Sequence, residues 1–228
     1  EQASRKEMGK LKDTLSFGIR LILFITVPAS VGLALLRFPI INTLLERGEF
    51  TRTATDGTGL ALLCYAIGLC GFAGTRIVAS AFYSMQDTKT PAKIGIYSIV
   101  INIIFSIILM APLKHGGLAL ATSIAAIFNA LALIVILKQR LGKMGGRNIF
   151  KSSVKLTIAS ACMGIVIYFL NQAFFDPSAP IGSRLAVLTL CIVTGLAVFF
   201  IVSLALKNEE LIFLKDLIRR KRKLPEGN

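Results

Sequence analysis

The sequence predicts an all-α integral membrane protein built on six transmembrane helices. Three observations carry that prediction. Mean hydropathy is +0.72, and only 17% of the 228 residues are charged, where a soluble domain carries about a quarter. Six apolar runs are each long enough to cross the roughly 30 Å hydrocarbon layer, which takes about 20 residues of helix. Lys and Arg collect between those runs, in alternate connections.

The runs are residues 16–36, 57–83, 94–113, 116–137, 156–175 and 185–206. Residues 1–13 precede the first. They are polar, carry Arg5, Lys6, Lys10 and Lys12 without an initiator Met, and read as a connecting loop of a longer chain. Pro28 lies inside the first run, as membrane helices tolerate. Residues 39–47 alternate apolar positions with a charged end and read as a short interfacial helix. The second run carries Gly68, Gly71 and Gly74 at a three-residue period, a face of small residues suited to close helix contact. Thr90-Pro91 before the third run reads as a helix start, because a first-turn residue needs no N–H partner. The last four runs hold no charged residue, so none has the polar face of an ordinary core helix. Residues 209–223 place Leu211, Ile212, Leu214, Leu217 and Ile218 at helical spacing, then end in Arg219-Arg220-Lys221-Arg222-Lys223. This tail reads as an interfacial helix and topology anchor. Three segments follow: residues 1–147 with four helices, 148–206 with a helix pair, and the basic tail 207–228.

The chain holds 26 Lys+Arg against 12 Asp+Glu, a net charge of +14. Such an excess suits nucleic acid in a soluble protein, but here its placement reports topology. Alternate connections hold 19 Lys+Arg against 5, which predicts both termini on the cytoplasmic side.

Ionisable residues within spans are costly and therefore functional candidates. Arg20 lies near the start of the first span, within snorkelling reach of headgroups. Arg76 lies seven residues before Tyr83, about 10 Å inside the second span, and suits either snorkelling or a water-filled cavity. Asn102 and Ser106 share a face of the third span, and Thr122 and Asn129 share one on the fourth. Counting from the span ends pairs Ser106 with Thr122 and Asn102 with Asn129. Interhelical hydrogen bonds are the simpler reading of these groups. A cation site is the sharper one, weakened by the lack of a carboxylate. Catalysis finds little support, since no Ser/His/Asp set or phosphate-binding glycine loop occurs. Cys64, Cys70, Cys162 and Cys191 sit in apolar runs without CxxC spacing, and His115 is the sole histidine. These read as packing residues, with no zinc ligand set and no cofactor.

Three connections carry a family resemblance. Phe82-Tyr83-Ser84-Met85-Gln86-Asp87-Thr88-Lys89-Thr90-Pro91 resembles the signature loop of the MurJ (MviN) lipid II flippase family. Pro112-Leu113-Lys114-His115-Gly116-Gly117-Leu118-Ala119-Leu120 and Glu46-Arg47-Gly48-Glu49-Phe50-Thr51 resemble two further loops of that family, in the right order. The resemblance covers essentially the whole chain, more weakly after Arg140. It implies helices nine to fourteen of a fourteen-helix, two-lobe, alternating-access transporter in the bacterial inner membrane, within the multidrug/oligosaccharidyl-lipid/polysaccharide exporter superfamily. The implied substrate is lipid II, moved from the cytoplasmic to the periplasmic leaflet, with membrane lipids and the other helices of the same protein as partners. Arg76 and Arg20 become substrate-cavity candidates, and the last two helices a groove for the polyprenyl tail. Asn102, the backbone of Leu118, and Thr122 match positions of a sodium site found in some relatives. Ser106 stands where those relatives have aspartate, so coupling to sodium or protons is open. The competing readings are an exporter of another lipid-linked oligosaccharide or of drugs, and a non-transporting scaffold for cell-wall enzymes.

Overall fold

A membrane offers backbone groups no water, so a spanning chain must satisfy its N–H and C=O groups internally. The computed structural model does so with six helices and describes residues 2–46, 52–142, 146–208 and 210–211. The helices are α1 (Gln2–Leu44), α2 (Arg52–Ser84), α3 (Lys89–Leu113), α4 (His115–Leu141), α5 (Gly146–Phe174) and α6 (Ile181–Ala205). All six are long and apolar enough to cross a membrane. Among the described residues, Lys12, Lys89, Lys93, Lys138, Arg140, Lys151, Lys155 and Lys207 lie toward one end of the bundle, where α1 starts, α2 meets α3, α4 meets α5 and α6 ends.

Two expectations are corrected at α1. The first 13 residues are helical from Gln2 onward rather than a loop, and residues 39–44 belong to α1 rather than to a separate helix. Instead, α1 runs unbroken through Pro28 and Pro39 to Leu44. Each proline removes one ladder bond, but the remaining bonds carry the helix well past the apolar layer. Arg47 and the rest of the loop through Thr51 lie outside the described residues, as does the tail beyond Leu211.

Packing is sequential in space as α3–α4–α2–α1, with α5 and α6 on the far side of α1. Two apolar cores result. One gathers Leu15 of α1 with Val78 and Phe82 of α2 and Leu133 and Leu137 of α4. The other gathers Phe24 and Leu36 of α1 with Leu156 and Met163 of α5 and Cys191 and Phe199 of α6. Both cores therefore share α1. The outermost helix, α3, leaves Ile96, Ile103 and Ile107 exposed, which in lipid carries none of the cost it would in water.

The glycine period on α2 sets its close contact with α4. A Cβ on Gly68 would fall 2.6 Å from the Ser123 Cβ, and one on Gly71 would fall 2.7 Å from the Ile127 backbone nitrogen. Ser123 Oγ donates to the Cys64 carbonyl at 2.7 Å across this seam. At Gly74 the helices have diverged, since a Cβ there would meet Ala130 at an ordinary 3.6 Å.

The opposite end of the bundle is clasped by polar groups. Glu46 Oε2 accepts from Asn42 Nδ2 at 2.6 Å and from Thr55 Oγ1 at 2.9 Å. Arg184, at the start of α6, donates to Asn42 Oδ1 at 3.0 Å. This ties α1, α2 and α6 together.

Gly71→Val tests the seam. Overpacking of this kind typically costs about 1–3 kcal/mol, so the variant is expected to unfold at lower temperature in detergent and to express less. Gly74→Ala is expected to match the parent in both measurements.

Candidate functional site

Because α2 lies so close to α4 while α3 packs mainly on α4, a cleft of 470 Å³ opens between α2 and α3. Arg76, Ser98, Asn102, Thr122 and Asn129 line it. Ser98 Oγ donates to the Ala125 carbonyl at 2.8 Å. Asn102 Nδ2 donates to Thr122 Oγ1 at 3.2 Å, and Thr122 Oγ1 donates to the Leu118 carbonyl at 2.9 Å. Three of the four candidate cation ligands thus form one hydrogen-bonded chain. Ser106 does not join it, and its buried Oγ has no partner among the described residues, nor does Asn129 Oδ1.

The pairing counted from span ends is off by about one turn. Asn102 lies level with Thr122 rather than Asn129, which places Ser106 near the level of Leu118 in this antiparallel pair. α3 and α4 are joined by a one-residue turn. Lys114 adopts φ 48°, the left-handed region, and its N–H returns to the Met110 carbonyl at 2.9 Å. A Cβ on Gly117 would collide with the Leu109 carbonyl, so only glycine lets α4 begin this close to α3.

Arg76 is exposed at this cleft, and no carboxylate among the described residues pairs with it. Arg20 lies elsewhere. Its Nη1 sits 3.6 Å from Glu210 Oε1, in a separate pocket against α5. Sequence reasoning missed Glu210, which is 1% exposed and accepts from Ser152 Oγ at 2.7 Å. Its place in a basic tail reads as solvated, and only the fold brings it beneath Arg20.

An apolar groove of 480 Å³ runs between α1, α5 and α6, with Gly32, Leu36, Met163, Ile167, Leu196 and Phe199 among its walls. α1 is thus a wall of this groove together with α5 and α6. Gly195 permits the α5–α6 approach, since a Cβ there would fall 2.6 Å from Ile167 Cδ1.

The loop between α2 and α3 is a polar clasp. Gln86 takes φ 59°, turning the chain so that Asp87 faces the start of α3. Asp87 accepts from the Thr90 N–H at 3.0 Å and from Thr90 Oγ1 at 2.6 Å. Arg140, in the last turn of α4, reaches across to the Asp87 carboxylate and donates to Thr90 Oγ1 at 3.0 Å. Its guanidinium lies 5.5 Å from the Phe82 ring. The hydrogen bonds from Thr90, with help from Arg140, hold the Asp87 carboxyl down at about 2. The loop at Asp87 and the turn at Lys114 therefore act on geometry, one fixing α3 against α4 at the basic end and the other at the opposite end.

The family model described as lipid II flippase MurJ matches residues 1–205. The chain belongs to the MurJ family. A probable lipid II flippase MurJ of Rhizobium tropici is 32% identical over 235 residues, covering 100% of this chain and 44% of the relative. One from Rickettsia prowazekii (strain Madrid E) is 35% identical over 187 residues, covering 80% of this chain and 36% of the relative. A solved structure of lipid II flippase MurJ in an inward closed conformation superposes with TM-score 0.69 at 29% identity, covering 92% of this chain and 43% of that one. The chain thus spans less than half the length of these MurJ relatives, and it is a multi-pass membrane protein of the MurJ fold.

Asp87 gives a pH test. Its carboxyl is depressed in the folded state to about 2, below the unfolded value of about 3.9. The unfolded chain binds more protons between these values, so the clasp stabilises fully above about pH 4 and is lost as pH falls toward 2. Thermal unfolding of Asp87→Asn in detergent is expected to be lower at pH 7 and less dependent on pH between 4 and 2 than the parent.

Proposed function

We propose that this chain is the C-terminal part of a lipid II flippase, carrying undecaprenyl-pyrophosphate-linked peptidoglycan precursor from the cytoplasmic to the periplasmic leaflet. The family match through residue 205 carries the reading. The division of the structure into a polar cleft and an apolar groove supports it, since the substrate has a charged head and a long hydrocarbon tail.

In this reading the α1/α5/α6 groove takes the polyprenyl tail, whose transfer from lipid is nearly neutral because both surroundings are hydrocarbon. The cleft at Arg76 forms part of the wall of a cationic cavity whose remaining wall belongs to helices outside this chain. Rocking of two lobes about that cavity alternates access. In this reading the basic end faces the cytoplasm, which the positive-inside distribution of Lys and Arg in the sequence supports. The oxygens of Asn102, Leu118 and Thr122 offer a site for a monovalent coupling ion. With no carboxylate among them, they hold it weakly. The protein moves its substrate without chemical change, so it is a transporter rather than an enzyme.

Depletion of a bacterium's own flippase tests this directly. The full-length protein carrying this chain is expected to restore growth and to accelerate flipping of labelled lipid II in vesicles. No acceleration would favour a scaffold that recruits cell-wall enzymes.

Arg76→Ala in that protein is expected to lower flipping several-fold at unchanged expression, with Arg76→Lys milder because the charge stays. Unchanged flipping in the alanine variant would mark Arg76 as a snorkelling residue.

A further inference from the structure

The polar pocket around Arg20 is separate from the α2/α3 cleft and contains a buried side chain with nothing to bind. Asn208 is 1% exposed, yet neither its Nδ2 nor its Oδ1 has a partner among the described residues. Its position is fixed by the turn that ends α6. Lys207 adopts φ 50°, and the Asn208 N–H returns to the Ser203 carbonyl at 3.1 Å, a helix-ending arrangement of the Schellman type. The next turn is pinned by the Ser152–Glu210 hydrogen bond at 2.7 Å. The amide is therefore held where it is rather than left there by a slack loop.

The pocket has a volume of 260 Å³ and is lined by Arg20, Asn148, Lys151, Ser152, Lys155 and Asn208, together with Glu210. Three cations face one carboxylate, a surplus of two positive charges. Glu210 is engaged by Arg20 and Ser152, so the surplus falls on Lys151 and Lys155. Lys155 Nζ uses one proton on the Lys207 carbonyl at 3.4 Å and keeps the others. Water alone would satisfy the Asn208 amide, whereas an oxyanion would also meet the positive charge of Lys151, which is exposed, and Lys155, which is half-buried. An oxyanion answers both needs.

The surroundings indicate what carries that oxyanion. Arg20 lies one helical turn, about 6 Å, from Phe24 on α1. Phe24, Phe199 and Phe200 wall the apolar groove of α1, α5 and α6, with Phe24 and Phe199 ring centroids 5.2 Å apart. The polar pocket thus adjoins the apolar groove at the basic end of the bundle. Basic pockets between helices at this level suit lipid phosphates. We propose that Asn208, Lys151 and Lys155 bind the phosphate of an anionic membrane phospholipid, whose acyl chains lie along the adjoining apolar surface of α1, α5 and α6. The phosphate pocket is separate from the cleft at Arg76, while the acyl chains would share the α1/α5/α6 groove with the polyprenyl tail. Phosphate binding at Asn208, Lys151 and Lys155 does not rest on the transport reading, and failed complementation would leave it untouched.

Titration of the purified full-length protein with phosphatidylglycerol or phosphatidylcholine, read by native mass spectrometry, tests the site. Phosphatidylglycerol is expected to bind more tightly than phosphatidylcholine. The exposed-side pair Lys151→Gln/Lys155→Gln should weaken phosphatidylglycerol about tenfold while leaving thermal unfolding unchanged, since each basic group near a membrane surface contributes a several-fold effect. Asn208→Leu should weaken it as well, and if that variant fails to fold, the two-lysine variant decides. Equal binding of the two lipids, or undiminished phosphatidylglycerol binding in the two-lysine variant, would overturn the proposal. So would displacement of the lipid by millimolar inorganic phosphate, which would assign the pocket to free phosphate instead.

Discussion

The approach of α2 to α4 through Gly68 and Gly71 is the contact from which the rest of the α2–α4 region follows. With hydrocarbon on every side, apolar side chains gain little by leaving lipid for protein, so helices associate through close packing and short hydrogen bonds. Gly68 and Gly71 supply the first, and the Ser123–Cys64 bond supplies the second. Once α2 and α4 are joined this closely, α3 can pack fully on only one of them. It packs on α4, and the cleft that holds Arg76, Asn102 and Thr122 is the space left beside α2.

The two short connections then lock what the seam arranges. At the basic end, Asp87 and Thr90 bring the α3 start to Arg140 on α4. At the other end, Lys114 and Gly117 compress the α3–α4 turn to a single residue outside the helices. Between these two fixed points the register of α3 on α4 has no freedom to slip by a turn. The Asn102–Thr122–Leu118 chain is a product of that register.

Hydropathy made the number of helices legible, because bilayer thickness sets the length of an apolar run. It could not reveal that α1 spans 43 residues, since hydrogen bonds continue a helix through polar sequence where hydropathy has nothing to report. The glycine period on α2 was legible for the same reason that it functions, as three small residues on one face. The α3–α4 register was not, because counting from span ends assumes that residues equidistant from a turn pack level with one another, and the Ser98–Ala125 and Asn102–Thr122 bonds lie about a turn away from that count. Glu210 was hidden by composition. An acid among tail lysines reads as solvated, and only a helix end turned back by Lys207 places it against Arg20 and Ser152.

One consequence concerns α1. Its first half contributes Leu15 to the core with α2 and α4, and its second half contributes Phe24 and Leu36 to the core with α5 and α6. A single continuous helix serving two cores behaves as an axle. Any rotation or tilt imposed on one half arrives at the other without a flexible joint to absorb it, except at the two missing ladder bonds of Pro28 and Pro39. The α2 wall of the Arg76 cleft and the apolar groove are therefore both anchored on one helix.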